Sequence, residues 1–195
     1  MVKMQANTHA IVRTDILHEG WARFLIATVR LPDGRTATRE IEDHGSAICV
    51  LPCNPQRRTA VLVRQFRAPP FYALKEEETV EAIAGILEED DPADCARREA
   101  HEEAGLAIGN VEHLFTAWTM PGISTERMHF FLATYSDEIA DGRRGGLPHE
   151  HEDTISVELS LAELARRVDA QEIADVKTLL LVQTARLRHP HLFSE

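Results

Sequence analysis

The segment from Asp91 to Gly105 reads as a helix with both ends specified, and it constrains the remainder of the chain more than any other stretch. Asp91 is a capping residue, Pro92 suits the first helical position, and Asp94 in the first turn favours the positive helix end. Gly105 stands where a left-handed residue closes a helix, so the predicted span is 92–104. Residues three or four apart share a helix face. Glu99 with Glu103, Glu99 with Glu102, and Arg98 with Glu102 are such pairs. Ala96, Ala100 and Ala104 are small enough to let the other side pack close to a sheet. The chain must therefore supply a sheet for this helix and a reason for three carboxylates on one side of it. Like charges at this spacing each cost roughly a few tenths of a kcal/mol. A hard divalent cation such as Mg²⁺ takes oxygen ligands and removes that repulsion. The competing explanation is an ordinary solvated acidic face.

Strand-length apolar runs provide the sheet. Residues 20–42 read as a hairpin turning at Pro32-Asp33-Gly34. Residues 46–52 and 59–67 read as a second hairpin around Asn54-Pro55-Gln56. Residues 79–84 form a strand leading into the acidic segment, and 111–118 and 127–135 are strands around a Pro121-Gly122 loop. Residues 137–153 are polar and glycine-rich, a long loop of the kind that often carries function. Ser160 with Glu163 is a capping-box signature for a helix to about Val168. An amphipathic helix covers about 175–188. No repeat or low-complexity linker is present. Strands outnumber helices and need them as cover, which predicts an α/β (α+β) class.

Composition excludes several partners. The 195 residues hold 32 Asp and Glu against 21 Lys and Arg, a net charge of −11. Nucleic acid and anionic membrane surfaces call for clustered cations, so neither is expected as a partner. No apolar run approaches the roughly 18 residues that span a bilayer. Residues 1–10 lack an apolar signal core, so a cytoplasmic location is expected. Cys49, Cys53 and Cys95 are an odd number without zinc or redox spacing and read as small core residues.

The acidic helix belongs to a longer pattern. Gly85 and the acids up to Asp91 precede Arg98-Glu99-Ala100-His101-Glu102-Glu103-Ala104-Gly105-Leu106. This resembles the Nudix box, G-x5-E-x7-R-E-U-x-E-E-x-G-U, where U is a bulky aliphatic residue. The second half matches at Arg98, Glu99, Glu102, Glu103, Gly105 and Leu106. Ala100 replaces a bulky residue, Asp91 replaces the first glutamate, and the loop to Arg98 is one residue short. With LVRQFR at 62–67, the stretch 120–137, the acids at 150–153 and VKTLLL at 176–181, the chain is similar to the GDP-mannose pyrophosphatase branch of the Nudix superfamily, close to the ADP-ribose pyrophosphatases. The resemblance implies a Nudix α/β/α sandwich with a mixed sheet over 45–195. It also implies an N-terminal antiparallel β-hairpin sheet over 1–44, used in homodimerisation.

The resemblance implies roles residue by residue. Glu99 and Glu103 would hold Mg²⁺, which Mn²⁺ can replace, together with the main-chain carbonyl of Ala84. Glu102 is a further ligand or a partner of Arg98. Glu152 in the glycine-rich loop would join the metals or act as base toward water, with Glu150 second for that role and Glu103 the other catalytic acid. Arg67, Gly85, Glu126 and Lys177 would contact the nucleotide sugar, and Glu81 would support the site. Trp21, Arg39 and Glu40 would reach the substrate of the neighbouring subunit. Thr38 replaces a lysine of the branch, which removes one cationic contact. Arg64 lies an odd number of residues from Arg67 and faces the opposite side of a regular strand.

The implied reaction is hydrolysis of GDP-mannose to GMP and mannose 1-phosphate. The alternatives are hydrolysis of ADP-ribose to AMP and ribose 5-phosphate, and a non-catalytic module that binds a nucleotide sugar. Such a module would be expected to have damaged metal ligands, whereas Glu99, Glu102 and Glu103 are all present.

Overall fold

The structure, a computed structural model, describes residues 8–88, 91–136, 143–146 and 153–194. The chain divides into two compact units, one made of 1–46 and 117–128 and the other of 47–116 and 129–195.

The first unit is an antiparallel sheet in the order β1-β2-β3, formed by β1 (Ala10–Glu19), β2 (Arg23–Arg30) and β3 (Thr36–Asp43). The β2–β3 hairpin turns where the sequence indicates, with Gly34 at φ 86°. That left-handed setting is one a glycine adopts freely. β1 was not expected. Most of its residues are exposed and its register on β2 is interrupted twice, so it lacks the alternation that marks a half-buried strand. Residues 117–128 join this unit by pairing along β3. Glu42 N donates to Ile123 O at 2.9 Å, and Thr125 N donates to Glu42 O at 3.0 Å.

The second unit contains β4 (Ser46–Asn54), β5 (Thr59–Phe66), α1 (Ala68–Leu74), β6 (Glu78–Glu81), β7 (Ile83–Leu87) and α2 (Pro92–Ala104). It continues with β8 (Val111–Trp118), β9 (Arg127–Thr134), β10 (Arg144–Gly145), β11 (Thr154–Ser160), α3 (Leu161–Asp169) and α4 (Val176–Arg188). The strands form one sheet in the order β10-β11-β5-β4-β9-β8, with β6 paired to β5 and β7 to β4. β4 is buried along almost its whole length. Since successive side chains point to opposite faces, the sheet is covered on both sides. Ile48 and Val50 share a core with Val61, Val63, Ile83 and the Ala96-Ala100-Ala104 row of α2.

The strand expected over 79–84 is two strands, β6 and β7. Between them the buried amide of Ala82 donates to Thr178 Oγ1 of α4 at 2.7 Å, leaving the ladder. α1 was also unexpected; none of its residues is buried. Among the described residues no helix is long and apolar enough to cross a membrane.

Candidate active site

α2 forms as its caps dictate. Asp91 accepts from Ala93 N, and Gly105, at φ 61°, closes the helix with its amide on His101 O at 2.8 Å. The sequence reading put three acids on one side and the alanines on the other. The helix divides them differently. Glu99 and Glu103 belong to the buried stripe with Ala96 and Ala100, at 7% and 2% exposure, and Glu102 is half-buried at its border. A solvated acidic face is therefore excluded. Arg98 lies between two of the acids, its Nη1 2.9 Å from Glu99 Oε1 and 3.1 Å from Glu102 Oε2. Burial alone pushes the Arg98 pKa down, and the charges of Glu99 and Glu102 outweigh it and raise it above its ordinary value.

Gly85 in β7 explains how a carboxylate is accommodated in this layer. A Cβ on Gly85 would lie 2.1 Å from Glu99 Cδ and 2.2 Å from its Oε1. The acid thus lies directly on the main chain, where any side chain would displace it. Ala84, half-buried, precedes Gly85 on the same strand.

A second cluster carries the cations. Glu81, at 3% exposure, ends β6. Arg67 grips it bidentately, Nε to Oε1 and Nη2 to Oε2, both at 2.9 Å. Lys177 Nζ donates to Glu81 Oε2 at 3.2 Å and to Asp175 Oδ1 at 2.6 Å. Burial pushes the Glu81 pKa up, but the Arg67 hydrogen bonds, the charges of Lys177 and Arg67 and the Thr79 hydroxyl more than offset it, to about 2. Burial would lower the Lys177 pKa, yet Asp175 and Glu81 hold it above its ordinary value. Arg67 is raised by its hydrogen bonds to Glu81 and also by the charge of Glu103, so the two clusters share one field. The Arg67 side chain is still partly exposed, whereas Arg64 pairs with Glu78 at the surface, 3.3 Å away. Asp175 is not among the residues the sequence motifs single out. Its signal was local: an N-cap that accepts from Thr178 N and Oγ1 at 3.0 and 2.6 Å.

The other proposed contacts lie in the first unit. Trp21, 75% exposed, has its ring centroid 4.8 Å from that of His44. Both line a cleft of about 520 Å³ with Arg23 and Asp43. Glu126 Oε2 is 3.6 Å from His44 Nε2, so a residue with no sequence signal links Trp21 to Glu126. Arg39 and Glu40 lie in β3 and line a separate cleft of about 560 Å³ with Trp118 and Ile123. Glu150 and Glu152 lie outside the described residues, as do His149 and His151. Among the described residues no three carboxylate, imidazole or thiol groups form a ready-made cation site.

A buried carboxylate seated on a strand glycine, with a second buried acid, guanidinium groups and an ammonium group nearby, is thus placed on a mixed α/β fold. The chain belongs to the NUDIX domain family, whose model matches residues 43–185. It is 41% identical over 151 residues to a GDP-mannose pyrophosphatase of Pectobacterium atrosepticum, covering 77% of each chain. It is 38% identical over 152 residues to a GDP-mannose pyrophosphatase of Escherichia coli, covering 77% of this chain and 78% of that one. The fold is similar to that of a crystal structure of an ADP compounds hydrolase, with a TM-score of 0.73 at 12% identity, covering 94% of this chain and 95% of that one.

Proposed function

We propose that the protein is a Mg²⁺-dependent nucleotide-sugar pyrophosphatase that hydrolyses GDP-mannose to GMP and mannose 1-phosphate. The observation that carries this reading is the burial of Glu99 and Glu103 on one side of α2, with Glu99 packed directly on Gly85. Carboxylates beside a main-chain carbonyl offer an all-oxygen donor set, which suits Mg²⁺, with Mn²⁺ able to replace it. Glu99, Glu103 and the Ala84 carbonyl would hold the ion, with Glu102 or Glu152 completing the set. Bound there, the ion would neutralise the diphosphate oxygens and make water a better nucleophile.

The chain's own groups do the rest. Water adds to one phosphorus as the phosphoanhydride P–O bond breaks, and the products leave as two phosphomonoesters. Arg67 presents a guanidinium, fixed from behind by Glu81, to a phosphate. Lys177, held by Asp175 and Glu81, offers an ammonium for the sugar side. Glu152 takes the proton from water.

The homodimer is part of the proposal. Ile11, Val12, Ile16 and Leu17 of β1 are exposed, as are Phe71, Tyr72 and Leu74 of α1. Apolar surfaces of this kind mark association sites, which supports a dimerisation region over 1–44 whose Trp21, Arg39 and Glu40 serve a neighbouring subunit. A cytoplasmic location fits the nucleotide-sugar substrate. Thr38, in place of a cation, removes a contact that would select guanine, and ADP-ribose hydrolysis is the second reading. Purified protein with Mg²⁺ and a nucleotide-sugar panel tests both. The highest kcat/KM is expected for GDP-mannose, with GMP and mannose 1-phosphate as products, and no turnover of any member would sink the proposal.

A further inference from the structure

The last carbonyls of a helix find no partner within it. In α2 these belong to the turn carrying Glu102 and Glu103, and the structure supplies their donors from one place. Gly146 N donates to Glu102 O at 3.0 Å, Thr154 Oγ1 to Glu103 O at 2.8 Å, and Arg143 Nη1 to Gly105 O at 3.2 Å. These donors lie on or beside the β10–β11 ladder, in which Gly145 pairs with Thr154. Gly145 lies flat on the helix end. A Cβ there would be 2.0 Å from Glu103 O, 2.5 Å from Glu103 C and 2.9 Å from Glu102 O. All three are main-chain atoms, which cannot step aside as a flexible side chain would. Thr154 is fully buried.

We propose that Gly145 and Thr154 are positioning residues for the acidic helix. Through the carbonyls of Glu102 and Glu103 they set the rotation of its last turn, and so the placement of the Glu103 carboxylate relative to Glu99. The inference rests on reading those two acids as metal ligands. Mg²⁺ tolerates little departure from octahedral geometry, so a small rotation of one ligand is costly. A group that orients a ligand therefore controls affinity without touching the ion.

The test uses Mn²⁺ alone as the probe, with its affinity for the substrate-free protein read by electron paramagnetic resonance beside kcat, KM and thermal stability. Thr154→Val removes the donor at nearly constant volume, and Thr154→Ser restores it. Gly145→Ala forces β10 off the end of α2. Thr154→Val and Gly145→Ala are expected to weaken Mn²⁺ binding and lower kcat by about tenfold or more, with KM changed less. Thr154→Ser is expected to return both close to wild type. If Gly145→Ala does not fold, the Thr154 pair decides. Folded Thr154→Val with wild-type Mn²⁺ affinity, in a protein where Glu103→Gln abolishes that affinity, overturns this inference alone. Wild-type protein that binds no Mn²⁺ overturns the metal reading and this inference with it.

Discussion

At the scale of single residues, the tightest demand is at position 85. Glu99 occupies the space a Cβ would need, so Gly85→Ala must push either the acid or the strand. A displacement of about 1 Å at a reacting centre can cost on the order of 100-fold. We expect Gly85→Ala to lose at least about that much kcat with an unchanged circular dichroism spectrum; a variant as active as wild type would remove Glu99 from the site. Glu81 makes a prediction of definite sign. Its carboxyl titrates near 4.5 ordinarily and at about 2 in the fold, so the stabilisation is complete above about pH 4.5 and lost as pH falls toward 2. The difference amounts to something on the order of 3 kcal/mol. Denaturant titrations across that window should show wild-type stability falling, and Glu81→Gln, weaker at neutral pH, falling less steeply. A parallel decline would refute the assignment. Glu99 and Glu103 are legible as a same-side pair because their spacing is local, whereas the contact of Glu99 with Gly85 is tertiary and leaves no such trace. The Glu81–Lys177 pairing leaves none either, since its partners stand 96 positions apart and no local pattern records the contact.

At the scale of elements, legibility followed capping and alternation. α2 and α3 lie within about a residue of their expected ends because cap residues mark them chemically, and α4 does so because its apolar period marks it. β1 was missed because exposure on both faces leaves no period to read, and β6–β7 because a tertiary hydrogen bond breaks the strand. The cap of α2 can be tested directly. Gly105 sits at φ 61°, and a Cβ there would meet the Arg143 guanidinium at 2.0 Å. Gly105→Ala should cost about 1–2 kcal/mol for the left-handed backbone, a loss of several degrees in Tm by calorimetry. An unchanged Tm would mean the helix ends elsewhere.

At the scale of the whole molecule, the proposed site residues fall into both units: carboxylates and cations in one, Trp21, Arg39, Glu40 and Glu126 in the other. If the first unit serves a neighbouring subunit, two kinds of inactive protein should rescue each other. Mixing Glu103→Gln with Trp21→Ala subunits is expected to restore measurable turnover, because one of the two sites in each heterodimer is intact. Exchange verified by native mass spectrometry with no activity above either parent would show that each chain completes its own site.

The bond from the Ala82 amide to Thr178 has a consequence in time as well as in space. Thr178 is anchored by Asp175, which also holds Lys177, and Ala82 leads within three residues to Gly85. The backbone under the acids and the helical turn bearing the ammonium are thus fastened at a single buried point. That amide sits in a gap between strands, where rapid solvent exchange would normally be expected. It should instead retain its proton nearly as long as the core of β4, so that opening this latch and unfolding the unit become one event.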